Sequence, residues 1–141
     1  MEATAKTNIT VQTTINAPAS AVWENWVSPE HIIKWNSASD DWHTPYSENN
    51  LTVGGTFKST MAAKDGSMSF DFGGVYTEVE EHSLIAYTMG DGRKVKVTFS
   101  EEDGKTHLVE TFEAESTNPL EMQQAGWQAI LDNFKRYVEA N

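Results

Sequence analysis

The sequence predicts an α+β fold: a curved antiparallel sheet, two short helices after the first strand, and a long C-terminal helix laid across the sheet. Three observations carry this. First, residues 118–140 draw one apolar stripe, with Leu120, Trp127, Ile130, Leu131, Phe134 and Val138 at three- and four-residue steps and Glu121, Gln124, Gln128, Asp132, Lys135 and Glu139 opposite. Second, Asp65-Gly66, Asp91-Gly92 and Asp103-Gly104 each stand between β-like runs and supply the positive φ that tight hairpins need. Third, Val95, Val97 and Phe99 alternate with Lys94, Lys96 and Thr98, so one sheet face is dry and the other wet. A striped helix and a one-sided sheet bury each other.

Residues 1–5 read as a loose end. Ile9, Val11, Thr13 and Ile15 then alternate with polar residues as a half-buried strand. Pro18 opens a short helix bearing Val22, Trp23 and Trp26, and Ser28-Pro29-Glu30 caps a second with Ile32, Ile33 and Trp35. Residues 36–50 are polar and turn-rich and read as an ordered loop, with Trp42 and Tyr46 needing cover. Gly54-Gly55 marks a bend, and strands follow near 55–63, 67–79, 83–89, 93–101 and 105–114 as a meander, with a turn near Glu80-Glu81 and a bend at Gly73-Gly74. Asn118 reads as the N-cap of the last helix, with Pro119 at its first position and Glu121 completing a capping box.

The 141 residues suit a single domain over 1–141, which hides roughly two-thirds of its unfolded surface. A net charge of −11 opposes nucleic acid and anionic membranes. The absence of cysteine excludes disulfides, thiolate metal sites and cysteine nucleophiles. The N-terminus lacks a basic segment followed by an apolar core, and no run is long enough to span a bilayer, so a cytoplasmic protein without membrane insertion is expected.

Ala17-Pro18 with Val22-Trp23, then Ser28-Pro29-Glu30, Lys34-Trp35, Val53-Gly54-Gly55-Thr56-Phe57, Gly74-Val75-Tyr76-Thr77-Glu78-Val79 and Gly126-Trp127 resemble, in this order, the START-like (SRPBCC) superfamily. Within it the chain is most similar to the activator of heat-shock protein 90 ATPase homologue-like group. The resemblance covers nearly the whole chain and implies a helix-grip fold, a sheet wrapped around the C-terminal helix with an elongated apolar cavity between them. Members bind hydrophobic small molecules, some are aromatases or cyclases, and the eukaryotic namesake assists a chaperone, so fold alone does not decide function.

On strand 105–114, Leu108, Glu110 and Phe112 share a face, which sets a carboxylate among apolar neighbours. Glu110 is therefore either a polar anchor or acid/base in a cavity, or part of a structural hydrogen-bond network. Gln123 on the helix stripe poses the same alternative. Asp40-Asp41-Trp42-His43 gathers carboxylates and an imidazole in a loop expected over one cavity mouth; His43 is a candidate ligand donor or proton carrier, and too few further ligands stand near for a metal. Phe70, Phe72, Trp35 and Trp127 either line the cavity or pack a core. Phosphate loops, serine elbows, zinc motifs and dinucleotide fingerprints are absent, and no cofactor is expected.

Three functions remain open. The chain encloses a hydrophobic small molecule (aromatic, polyketide-like or acyl) held by Trp35, His43, Phe70, Phe72, Glu110, Phe112, Gln123 and Trp127. Alternatively it is a cofactor-independent cyclase, dehydratase or hydrolase using Glu110 and His43 as acid and base. Or it is a module touching a protein partner such as a chaperone, which predicts an exposed apolar patch in place of a deep cavity. Monomer and dimer are both compatible with the sequence.

Overall fold

A computed structural model describes residues 7–37 and 39–140; the expected loose end at 1–5 lies outside them. The elements run β1 (Asn8–Ile15), α1 (Ala19–Val27), α2 (Pro29–Trp35), β2 (Trp42–Asn49), β3 (Thr56–Ala63), β4 (Ser69–Glu80), β5 (Leu84–Met89), β6 (Lys94–Glu102), β7 (Lys105–Glu113) and α3 (Leu120–Glu139). All strands join one antiparallel sheet in the order β1-β7-β6-β5-β4-β3-β2, a curled half-barrel that α3 crosses on its dry side.

The Asp-Gly hairpins form where expected, with Gly66, Gly92 and Gly104 at φ between 77° and 93°. His82 takes the positive φ at the turn after β4. Gly73 and Gly74 stay in register with β3 and β5 and do not bulge; their bare Cα atoms admit the close approach of the Phe57 and Thr88 carbonyls. The irregularity on β4 falls later, between Tyr76 and Glu78.

Residues 42–49, expected as loop, form the edge strand β2. An edge strand is half solvated, so its sequence is polar and its periodicity weak. Pro45 sits where the β2–β3 register breaks between His43 and Tyr46, a place where its missing N–H costs no ladder bond. The opposite edge, β1, is covered by α3. Gln128 accepts from the Gln12 amide at 3.4 Å and donates to its carbonyl at 3.2 Å, and Gln124 one turn earlier donates to the Thr10 carbonyl at 3.4 Å. Two side-chain amides thus take the place of a neighbouring strand.

Helix starts differ from their local signals. Asn118 does not cap α3: Pro119 occupies that position and makes no side-chain cap hydrogen bond. Gln123 ties the approach instead, accepting from the Glu115 amide at 2.9 Å and donating to the Asn118 carbonyl at 2.8 Å. Leu120, expected on the buried stripe, is 46% exposed because the helix begins before it reaches the sheet. Ser28 stands at the N-cap of α2, but its hydroxyl donates to Glu24. The first amide of α1 donates to Glu101 on β6 at 2.7 Å, a cap delivered from 82 residues away.

The C-terminal half of α3 is held in an aromatic cluster. Trp26 stacks on Trp35 at 5.1 Å, and Phe134 meets both edge-on at 4.9 and 4.7 Å. Asn133 adds a bond to the Trp35 carbonyl at 2.8 Å. Earlier in the same helix, Gly126 has nothing within 4 Å of an added Cβ. Gly126→Ala is expected to stabilise the protein by about 0.5–1 kcal/mol, read as a raised urea midpoint at unchanged slope, because it removes unfolded-state freedom and improves helix propensity.

Candidate functional site

The sheet curves away from the N-terminal half of α3, and a cavity of about 310 Å³ remains between them. Strand alternation sets its floor. Val11, Glu110 and Val97 are register partners on β1, β7 and β6, and Ile85 continues the row on β5. Each of these aliphatic partners is at most 1% exposed, so the Glu110 carboxyl rises from an apolar row between the equally buried Leu108 and Phe112. Glu110 itself is 6% exposed and lines the cavity.

Among the described residues, none donates a hydrogen bond to this carboxyl. No fully enclosed side-chain oxygen or nitrogen among them lacks a partner, so the Glu110 oxygens face the hollow and not packed protein. Burial alone pushes its pKa up from 4.5 to about 8. Tyr87, on the next row, is a buried residue whose hydroxyl likewise makes no hydrogen bond among the described residues. Burial and then the nearby Glu110 charge hold that phenol well above its ordinary range.

Several other polar groups of the wall are engaged with one another or with backbone. Tyr76 donates to Asn49 at 2.5 Å, Asn49 donates to the Val27 carbonyl at 2.6 Å, and the Ser47 and Ser59 hydroxyls pair at 3.0 Å. Arg93, where β6 begins, bonds Asp91 at 2.8 Å and the Glu113 carbonyl at 3.3 Å. Trp127 roofs the cavity. Its indole lies on Phe112 at 3.8 Å with 11° between planes and meets Phe72 edge-on at 6.1 Å.

Of the residues singled out from sequence, Trp35, Phe70, Phe72, Glu110 and Trp127 line the cavity. Phe112 does not; it is fully buried behind Trp127. Gln123 is buried but turned into the loop before α3, with its amide engaged there. His43 is exposed on edge strand β2 and does not line the cavity, so Glu110 and His43 share no ligand position and the expected acid/base pair is not formed. The physical reason is that His43 belongs to the edge strand β2, paired with β3 at Ala62 and exposed there, and not to a loop over the mouth. Tyr87, Tyr76, Phe57 and Arg93 also line the cavity and were not anticipated. For Tyr87 the signal was weak, since Leu84 to Met89 is nearly continuous in apolar residues and hides which face is inner.

Glu24, Glu30 and His31 bring ligand atoms within 4.8 Å of one another on the surface. Two of these are engaged, Glu24 by the Ser28 hydroxyl at 2.6 Å and His31 by the Tyr137 hydroxyl at 2.7 Å.

Half-barrel sheet, gripped helix and the hollow between them define a START-like (SRPBCC) protein. The family model described as Activator of Hsp90 ATPase homolog 1-like protein matches residues 16–139, and the chain belongs to that family. It is similar to the AHSA1-like protein from Aeromonas hydrophila, whose solution structure is 51% identical with a TM-score of 0.90, over 95% of this chain and 93% of that one. A protein from Cytophaga hutchinsonii is 56% identical with a TM-score of 0.82, over 95% and 93% of the two chains. One from Nitrosomonas europaea, 14% identical over 98% and 97% of the chains with a TM-score of 0.81, shares the fold. No curated protein sequence matches this chain. Among the described residues no helix is long and apolar enough to cross a membrane.

Proposed function

We propose that the chain binds a hydrophobic small molecule, aromatic, polyketide-like or acyl, between α3 and the concave face of the sheet. The observation that carries this reading is the Glu110 carboxyl, buried in an aliphatic row and turned toward an aromatic-walled hollow, with no hydrogen-bond donor among the described residues. A group so placed destabilises the fold by itself and gains its hydrogen bonds from whatever occupies the space beside it. An apolar cavity with one or two convergent polar groups is what small-molecule recognition uses.

The acid/base alternative keeps Glu110, whose pKa near 8 suits proton transfer, but loses His43 as its partner. The protein-contact alternative predicts no deep hollow. Native mass spectrometry of protein purified from cells, together with ligand-observed NMR over a panel of aromatic and acyl compounds, tests the binding reading. Retained mass or saturation transfer to compounds competing at Trp127 is expected. Silence across the panel overturns the reading.

A further inference from the structure

The geometry points to a protonated amine as the ligand: an aromatic or alicyclic body carrying one ammonium group, its N–H donors on the Glu110 carboxylate and its charge against the ring faces of Trp127, Phe72 and Tyr87. This rests on the binding reading above and narrows it to a chemical class.

Charge in the lining favours a cation. Three carboxylates, Glu48, Glu110 and Glu115, stand against the single guanidinium of Arg93, in a chain of net charge −11. The groups at the rim are already engaged: Arg93 by Asp91 and the Glu113 carbonyl, Glu48 by the Tyr46 hydroxyl at 2.7 Å, and Glu115 by Asn118 at 2.7 and 2.9 Å. Glu110 alone among these lining carboxylates has no donor from the described residues. An anionic ligand would set its charge beside a desolvated acid, and the one guanidinium in the lining already has Asp91 as its countercharge.

The wall adds a second, independent attraction. Eight of the lining residues are aromatic, Trp127, Phe72, Tyr87 and Phe57 among them, and a ring face presents negative potential to an organic cation. A neutral hydroxyl draws no such benefit, and a buried amide would serve it as well as a carboxyl. The desolvation of Glu110 is already met by the folded chain, so an ammonium entering the hollow supplies the missing countercharge to a preformed site.

The charge state gives the inference a sign. Around Glu110, β1 and β6 present Val11 and Val97, α3 presents Trp127 and Ile130, and β5 presents Tyr87. Both cavity phenols, Tyr76 and Tyr87, are held above the ordinary range, and none of the four histidines lines the hollow. Seating an ammonium therefore expels the proton from Glu110. Affinity for the amine rises about tenfold per pH unit below the pKa of Glu110 and levels off above it, whereas a neutral ligand accepting from the carboxylic acid weakens there.

Calorimetry with 2-naphthylmethylamine, 2-naphthylmethanol and 2-naphthoate as matched probes, from pH 6 to 9, tests this. The amine is expected to bind at least about tenfold tighter than the alcohol at pH 8, with naphthoate weakest, and to release a proton on binding at pH 7. In E110Q, checked for folding by its melting curve, the amine falls to the affinity of the alcohol and its pH slope disappears. An alcohol as tight as the amine, a flat pH profile in the unsubstituted protein, or a preference that survives E110Q overturns the amine assignment and leaves the cavity reading standing. Failure of all three probes overturns the assignment, and takes the cavity reading with it if the broad panel is silent as well.

Discussion

Between pH 5 and 9 the unfolding free energy of this protein is expected to fall by roughly 3–5 kcal/mol, and in Glu110→Leu most of that fall disappears. The folded-state pKa of Glu110 is raised from 4.5 to about 8, so the native chain holds a proton that the unfolded chain releases. The stability tied to that proton is fully present below 4.5 and is lost as pH rises through about 8, at about 1.4 kcal/mol per pH unit in between. Asp65 and Asp91 have lowered values, from the hydrogen bonds they accept from Ser67 and Arg93, so their contributions are present above the carboxylate range and vanish only in acid. The two windows do not overlap. Urea titrations at half-unit pH intervals on both proteins check this, and parallel curves for the two would mean that the carboxyl is solvated or paired. At pH 9 Glu110→Leu is expected to be the more stable protein, because leucine completes the row of Val11, Val97 and Ile85 without burying a charge.

Phe134→Ala is expected to cost about 3–5 kcal/mol and Trp127→Ala only about 1–3, although tryptophan is the larger side chain. Phe134 is fully buried and touches Trp26 and Trp35 edge-on, so its removal leaves a hole with walls on every side. Trp127 is half-buried, packed on Phe112 by one face while another part of the ring borders the cavity. Truncating it enlarges a space that is there already and forfeits fewer contacts. Thermal and urea unfolding of both variants measure the order. A Trp127→Ala cost equal to or above that of Phe134→Ala would mean that the roof of the cavity is closed core.

Much of the fold was legible because its signals are strong and local. Trp127, Ile130, Leu131, Phe134 and Val138 announce α3 at helical spacing, and the Asp-Gly pairs place hairpins to within a residue or two of the observed strand ends. β2 was not legible: one partner strand and a solvated face leave residues 42–49 polar, and Pro45 argues further against a strand unless the edge position is known. In the site, Glu110 was legible because period-two alternation forces it onto the face of Leu108 and Phe112. Gln123 showed the same pattern with a different outcome, since an amide at a helix start has loop carbonyls within reach and is satisfied by them. Tyr87 and Arg93 carried no signal separating them from other core or surface residues of their types.

The identity and order of the elements, the dry face of the sheet and the lone carboxyl upon it were already written in the residues, because helix and strand periods are properties of neighbouring side chains. The hollow, its polar lining and the protection of the sheet edges arise where distant segments meet. Glu101 reaches Ala19 across 82 residues, Gln128 reaches Gln12 across 116, and Trp127 comes to rest on Phe112. Those meetings depend on the curl of seven strands around one helix, a geometry that no local spacing encodes, and it is that curl which leaves room beside Glu110.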